Sequence, residues 1–338
     1  MNKKELIEEL KNNMPILQGN EEEKELETAL YVYIELAKRK NFDVRYWWGN
    51  EKQIKKVAAE TKADSMNLDR AANKKVLTCV SLASLYSEIL SNFGIKSIIS
   101  VDEGEEARRN KNVIPHRNVV IQTKTGKRYN TDLQRDLYRV HSHMSLQHFA
   151  QNDDGGDKEV ISQETLNKFL MDIGYIQNEN DYSDNIIEDI SKIVDSNNLK
   201  MSLKSVLEDE RISTIQKDAG IVEASSYYSS ILNLLFSKEK LGNTPYEILK
   251  FPCKRKNEQT GEYDYTFCIY GIDHHTQEAD IYLYSPKKSR MISCDIETIS
   301  KLEKQGLVLG RNPKDKRTGL LRQQMKKYKK MIKKEEEK

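Results

Sequence analysis

Cys79, His116 and Asp132 are the residues whose types and order would do chemistry, and the chemistry would be nucleophilic attack by sulfur. A thiol attacks as thiolate, and the first turn of a helix favours that form by presenting unbonded N–H groups and the positive end of the macrodipole. An imidazole within hydrogen-bond reach takes the proton, and a carboxylate on its other nitrogen fixes the tautomer. The tetrahedral oxyanion formed on attack would rest on the Cys79 N–H and one further donor. Singly, such residues are usually bland: a cysteine on an apolar helix face is a small hydrophobe, and a strand histidine is structural. A helix-opening cysteine, then a histidine, then an aspartate is a joint pattern that chance produces less easily.

The elements around these residues can be read from periodicity. Thr78 stands where an N-cap belongs, then Cys79, Leu82, Ala83, Tyr86, Ile89, Leu90 and Phe93 follow helical spacing, and Gly94 suits the C′ position. Ile95 to Val101 reads as a strand and Asp102 to Asn112 as a charged loop. His116 to Gln122 alternates, with Val119 and Ile121 on one face; Thr125-Gly126 turns the chain, and Lys127 to Asp132 returns as a second strand. A loop of about three residues would set 116 opposite 132 on one face, and a slip of one residue would separate them. Upstream, 3–13 and 21–39 are helical, the second opening on an Asn20/Glu23 capping box and burying Leu26, Leu30, Tyr33, Leu36 and Ala37. Phe42 to Gly49, rich in aromatic and β-branched types, reads as a short strand or extended entry segment, and 51–72 as helix.

Three stretches carry a resemblance. Thr-Cys-Val-Ser-Leu-Ala-Ser-Leu-Tyr-Ser-Glu-Ile-Leu-Ser-Asn-Phe-Gly-Ile-Lys-Ser, Pro-His-Arg-Asn-Val-Val-Ile and Lys-Arg-Tyr-Asn-Thr-Asp-Leu together resemble the transglutaminase-like superfamily, over residues 25–140. The resemblance implies an α+β, papain-like core in which Cys79 is the nucleophile, His116 the general base and acid, and Asp132 the orienting group. It implies acyl transfer through a thioester on a protein or peptide substrate, with an amine acceptor for transamidation or water for glutamine deamidation. A cysteine protease of the same superfamily and an inactive binding module that kept the fold are the alternatives. The chain departs from the family in the Lys75-Val-Leu-Thr approach to Cys79 and in Arg117 and Asn118 after His116. Family members often use an upstream tryptophan as oxyanion donor, which makes Trp47 and Trp48 the candidates here, with core packing as their other reading.

Competing constellations are weaker. His141, His143 and His148 with Asp136 lack any characteristic ligand spacing, and His274-His275 beside Asp273 and Glu278 falls in a turn, so no metal is expected. Cys253, Cys268 and Cys294 lie in or beside apolar runs and read as packing residues. Nucleotide-loop, zinc-protease and α/β-hydrolase motifs are absent, and the thiol chemistry calls for no cofactor.

The 338 residues suit a catalytic core in 1–150, a helical region in 151–242, a β-rich region in 243–310 and a basic amphipathic tail in 311–338. The polar run Gln151 to Asp157 reads as a linker. Helical patterns lie near 161–175, 184–196, 202–217 and 221–238, strand-like runs at 246–253, 262–271 and 279–284, and a last helix at 295–306. A helix followed by strands occurs twice, the second time with Ser225–Phe236 and no cysteine at its start; the β-rich region reads as a degenerate second copy or as part of one domain. Net charge is +2, yet residues 311–338 hold 12 Lys/Arg against 4 Asp/Glu, which leaves the rest near −6. The tail alone suits an acidic partner, and nucleic acid is not expected. Four cysteines without CxxC spacing fit a reducing compartment. No apolar leader opens the chain and no window approaches a membrane span, so the expectation is a cytoplasmic protein, with export by a route that needs no cleaved signal left open. The Lys/Asn/Glu/Ile-rich usage is compatible with a bacterial protein acting on another organism's proteins.

Overall fold

Asparagine opens both N-terminal helices. Asn2 starts α1 (Lys3–Asn13) and Asn20 starts α2 (Glu21–Arg39), each with a reciprocal bond to the glutamate three residues on. The computed structural model describes residues 1–49, 51–102, 115–151, 157–215, 220–276 and 278–309, without the side chains of 47, 102, 215, 308 and 309. The architecture is mixed α and β, and the chain divides into two compact units, Met1–Asn185 and Ile186–Lys338.

In the first unit α2 is buried nearly all round, from Leu26 to Ala37 with only Glu35 less covered, so it is a central helix rather than one with a single apolar stripe. The extended segment expected over 42–49 is mostly helical. Only β1 (Asn41–Phe42) is strand, because the Asp43 carboxylate caps the next turn, accepting from Arg45 N at 3.1 Å, and starts α3 (Val44–Trp48). The helix expected over 51–72 is split at Asn67 into α4 (Glu51–Met66) and α5 (Leu68–Asn73); Asn67 accepts from Arg70 N and becomes an N-cap. Next, β2 (Val76–Leu77) pairs in parallel with β1, and Asp43 N donates to Leu77 O at 3.0 Å. That short bridge delivers the chain to α6 (Cys79–Asn92), which ends at Gly94 in the left-handed region (φ +77°), as its C′ role requires.

A three-stranded antiparallel sheet follows, in the order β3 (Lys96–Asp102), β4 (His116–Gln122), β5 (Arg128–Thr131). The expected charged loop from 103 lies outside the described residues. The β4–β5 loop is 123–127, with Gly126 at φ +87°, and it is longer than expected. Register shifts with it: Val119 faces Thr131, which sets position 118, not 116, opposite 132. A shift of two residues keeps the face, since side chains alternate with a period of two. His116 and the residue after β5 therefore stay on one side of the sheet as diagonal neighbours. Asp132 follows the strand directly and opens α7 (Leu133–His141), and α8 (Gln163–Asp172) packs on α2.

The second unit begins in α9 (Asp184–Ser191) and continues through α10 (Leu199–Leu207), α11 (Glu210–Ile215), α12 (Ile221–Leu235) and α13 (Lys238–Leu241). A five-stranded antiparallel sheet then forms in the order β10 (Leu307–Leu309), β6 (Tyr246–Lys256), β7 (Tyr263–Asp273), β8 (Glu278–Ser285), β9 (Arg290–Cys294), with α14 (Ile296–Lys304) before β10. Cys253 and Cys268 sit in its core with Phe251 and Tyr270, their sulfurs 3.2 Å apart, and Cys294 packs at the edge of that cluster. The basic tail 311–338 lies outside the described residues. Among those described, no helix is long and apolar enough to cross a membrane.

Candidate active site

Cys79 occupies the first position of α6 and is 5% exposed. Thr78 has the extended backbone of an N-cap, but its side chain does not cap the helix. Thr61 gives its proton to Val57 O at 2.8 Å, so Thr78 Oγ1, 3.0 Å from Thr61 Oγ1, is the donor between the two hydroxyls. The threonine is thus turned to α4, and the first-turn N–H groups of α6 receive no side-chain acceptor from the cap. These are the groups that can receive an oxyanion or support a thiolate.

His116 is the first residue of β4, and Asp132 the cap of α7. His116 Nε2 stands 2.6 Å from Asp132 Oδ2, with the imidazole 23% and the carboxylate 8% exposed. The two oxygens of Asp132 divide the work: Oδ1 accepts from Arg135 N at 3.2 Å and caps α7, while Oδ2 meets His116 and, at 3.2 Å, Arg135 Nε. Burial opposes charge on the His116 ring, but hydrogen bonds to Asp132 and to the Cys79 sulfur outweigh it and lift its pKa to about 10. With Nε2 committed to Asp132, Nδ1 is the ring nitrogen left to serve the sulfur. The three residues therefore form one chain of contacts, Asp132 to His116 to Cys79, brought together from a strand end and two helix starts. Beside them Asn118 Nδ2 donates to Asn130 Oδ1 at 2.6 Å.

Of the two tryptophans, Trp48 ends α3, partly buried, and α3 packs on α4, which packs in turn on α6. The side chain of Trp47 lies outside the described residues. The histidines of the competing cluster go separate ways. His141 Nε2 lies 2.9 Å from Lys40 O, His143 tilts over Tyr175, and the His148 backbone binds Asp136. His274 pairs with Glu247 at 3.0 Å. Among the described residues no three or more His, Cys, Asp or Glu side chains are grouped to hold a metal ion.

Sequence reasoning missed the roles of Tyr33 and Asp136. Tyr33 was legible as a core position of α2, yet its hydroxyl lies 2.8 Å from Asp132 O and 3.0 Å from Asp136 Oδ2. Asp136 is wholly buried, its carboxylate facing the Tyr33 hydroxyl and the peptide N–H groups of Gln147 and His148. The only signal in the sequence was an aspartate one helical turn after another, which is too common to single out. Compared with known proteins, the chain matches no family model, no curated protein and no solved structure.

Proposed function

We propose that this chain is a cysteine-dependent acyl-transfer enzyme whose first unit holds a transglutaminase-like core. The observation that carries the reading is the 2.6 Å bond between His116 Nε2 and Asp132 Oδ2, with the Cys79 sulfur, at the start of a helix, in hydrogen-bond contact with the same ring. The order helix, strand, strand, strand, with the three residues at these places, is what a thiol enzyme of that kind requires.

The Cys79 sulfur attacks the carbonyl carbon of a carboxamide or peptide bond, and the Cys79 N–H takes a share of the oxyanion. The C–N bond breaks as His116, protonated up to about pH 10, gives its proton to the departing nitrogen. The products of this half are an acyl thioester on Cys79 and ammonia or an amine. An incoming amine or water then gives its proton to neutral His116 and displaces the sulfur. The outcome is transamidation with an amine and deamidation or proteolysis with water.

Intact-mass analysis of protein substrates incubated with wild type and with Cys79→Ala tests the reading. A gain of about 1 Da signifies deamidation, a loss of about 17 Da plus the amine transamidation, and fragments proteolysis. Alkylation of Cys79 by iodoacetamide at pH 6 should also outpace that of free cysteine. Equal rates there, with no Cys79-dependent mass change on any substrate, would reject the enzymatic reading.

A further inference from the structure

Asp132 is held by more than its carboxylate. Its N–H donates to His148 O at 2.8 Å, and its carbonyl accepts from the Tyr33 hydroxyl at 2.8 Å. The same hydroxyl lies 3.0 Å from Asp136 Oδ2, which also accepts from His148 N at 3.0 Å, while Oδ1 accepts from Gln147 N at 3.2 Å. A ring closes: Asp132 to His148, His148 to Asp136, Asp136 to Tyr33, and Tyr33 back to Asp132. One hydroxyl proton serves two acceptors, as a three-centre bond.

We propose that Tyr33 and Asp136 are positioning residues for the triad, setting the place of the Asp132 carboxylate by clamping the peptide groups on both sides of its Cα. This rests on the reading of Cys79, His116 and Asp132 as a reactive triad. Two aspartates four residues apart thus turn opposite ways, Asp132 toward His116 and Asp136 into the core.

Packing alone does not account for the ring. Burying a carboxylate is costly unless donors surround it, and an apolar side chain would fill the space without that cost. Asp136 nevertheless sits at 0% exposure, given two peptide N–H groups and the Tyr33 hydroxyl, with the guanidinium of Arg139 next to it, Nε 3.9 Å from Oδ1. Burial raises the Asp136 carboxyl, and His148, the two peptide bonds and Arg139 work against that rise. Tyr33 is itself fixed edge-to-face between Tyr86, at 5.7 Å, and Phe149, at 5.3 Å. Tyr86 lies on α6, about two turns beyond Cys79, so the aromatic contact that orients Tyr33 also ties it to the helix bearing the sulfur.

The test is the titration of His116 in full-length protein labelled with [13C]histidine. It is followed by NMR from pH 5 to 11 (a span of about three units either side of pH 8, which brackets the ordinary histidine value and the raised one of about 10) and assigned with His116→Gln. Iodoacetamide alkylation of Cys79, read by peptide mass, accompanies it. In Tyr33→Phe, His116 should titrate about 1 pH unit lower and Cys79 should alkylate about tenfold more slowly. Melting should stay within a few degrees. Asp136→Asn places an amide donor against the His148 N–H and should move both readouts at least as far. If either variant loses stability while His116 titration and alkylation stay at wild-type values, Tyr33 and Asp136 are structural only and the proposal fails. Should Asp136→Asn not fold, the isosteric Tyr33→Phe decides. Asp132→Asn separates the two levels. A His116 titration that ignores Asp132→Asn rejects the triad itself, whereas one that responds to Asp132→Asn but not to Tyr33→Phe rejects the positioning role alone.

Discussion

Asp132 combines two duties that single substitutions can separate. Asparagine caps helices as well as aspartate does, so Asp132→Asn keeps the Oδ1 bond to Arg135 N but removes the charge that Oδ2 presents to His116. Asp132→Ala loses both. Chemical denaturation should therefore find Asp132→Ala less stable than Asp132→Asn by about 1 kcal/mol, the worth of the α7 cap. NMR should find His116 titrating well below about 10 in both. Equal stabilities would mean that the cap contributes nothing. The same pair has a pH signature. The His116 pKa is raised on folding, from an ordinary value near 6.5, so its contribution is complete below 6.5 and lost as pH rises through about 10.

Among the elements, α5 shows how a buried charge can serve as a cap. Lys40 is 3% exposed, and its Nζ reaches Ala71 O at 3.2 Å, Ala72 O at 2.7 Å and Lys74 O at 2.6 Å, the carbonyls that end the helix. Lys40→Met should cost about 3 kcal/mol or more in urea unfolding, because three largely buried carbonyls lose their donor. A cost under about 1 kcal/mol would mean that water replaces the ammonium. Local capping of this kind divides what was legible from what was not. The Asn20/Glu23 box and the Thr78-to-Gly94 helix lie within a few residues and can be read from spacing. Lys40 and its carbonyls are some thirty residues apart, and so are invisible to periodicity. The β4–β5 register is hidden for a related reason: alternation tells which face a residue takes, but the length of the connecting loop tells which residue stands opposite. The face survived because the shift was two.

At the scale of the molecule, several ionisable groups, one buried and two half-buried, act on stability together. Glu27 on α2 is fully buried, and burial, then the nearness of the Asp172 carboxylate, raise its pKa from 4.5 to about 7. The folded state thus binds the proton more tightly, and stability falls as pH rises from 4.5 through 7. Glu60 is lowered, chiefly by Arg45, so its contribution is lost on acidification below 4.5. With His116 adding its own decline from 6.5 to 10, the pH of greatest thermal stability should lie between about 4.5 and 6.5. Glu27→Gln should flatten the fall toward pH 7, giving a gain on the order of 2–3 kcal/mol at and above neutrality. A melting profile that rises from pH 5 to 8 in wild type would contradict this account.

Read alone, the sequence determined the mixed α and β character, most helix positions, the place of Cys79 at a helix start and the order in which His116 and Asp132 follow. These are products of short-range periodicity and capping, which act within a turn or two. It did not determine the turn of Asp43 into a helix, the edge strands β9 and β10, the diagonal placing of His116 against Asp132, or the ring through Tyr33 and Asp136. The last joins residues about a hundred positions apart. Such contacts follow from how α2 and α7 pack, and only the tertiary structure brings a tyrosine from one to the aspartates of the other.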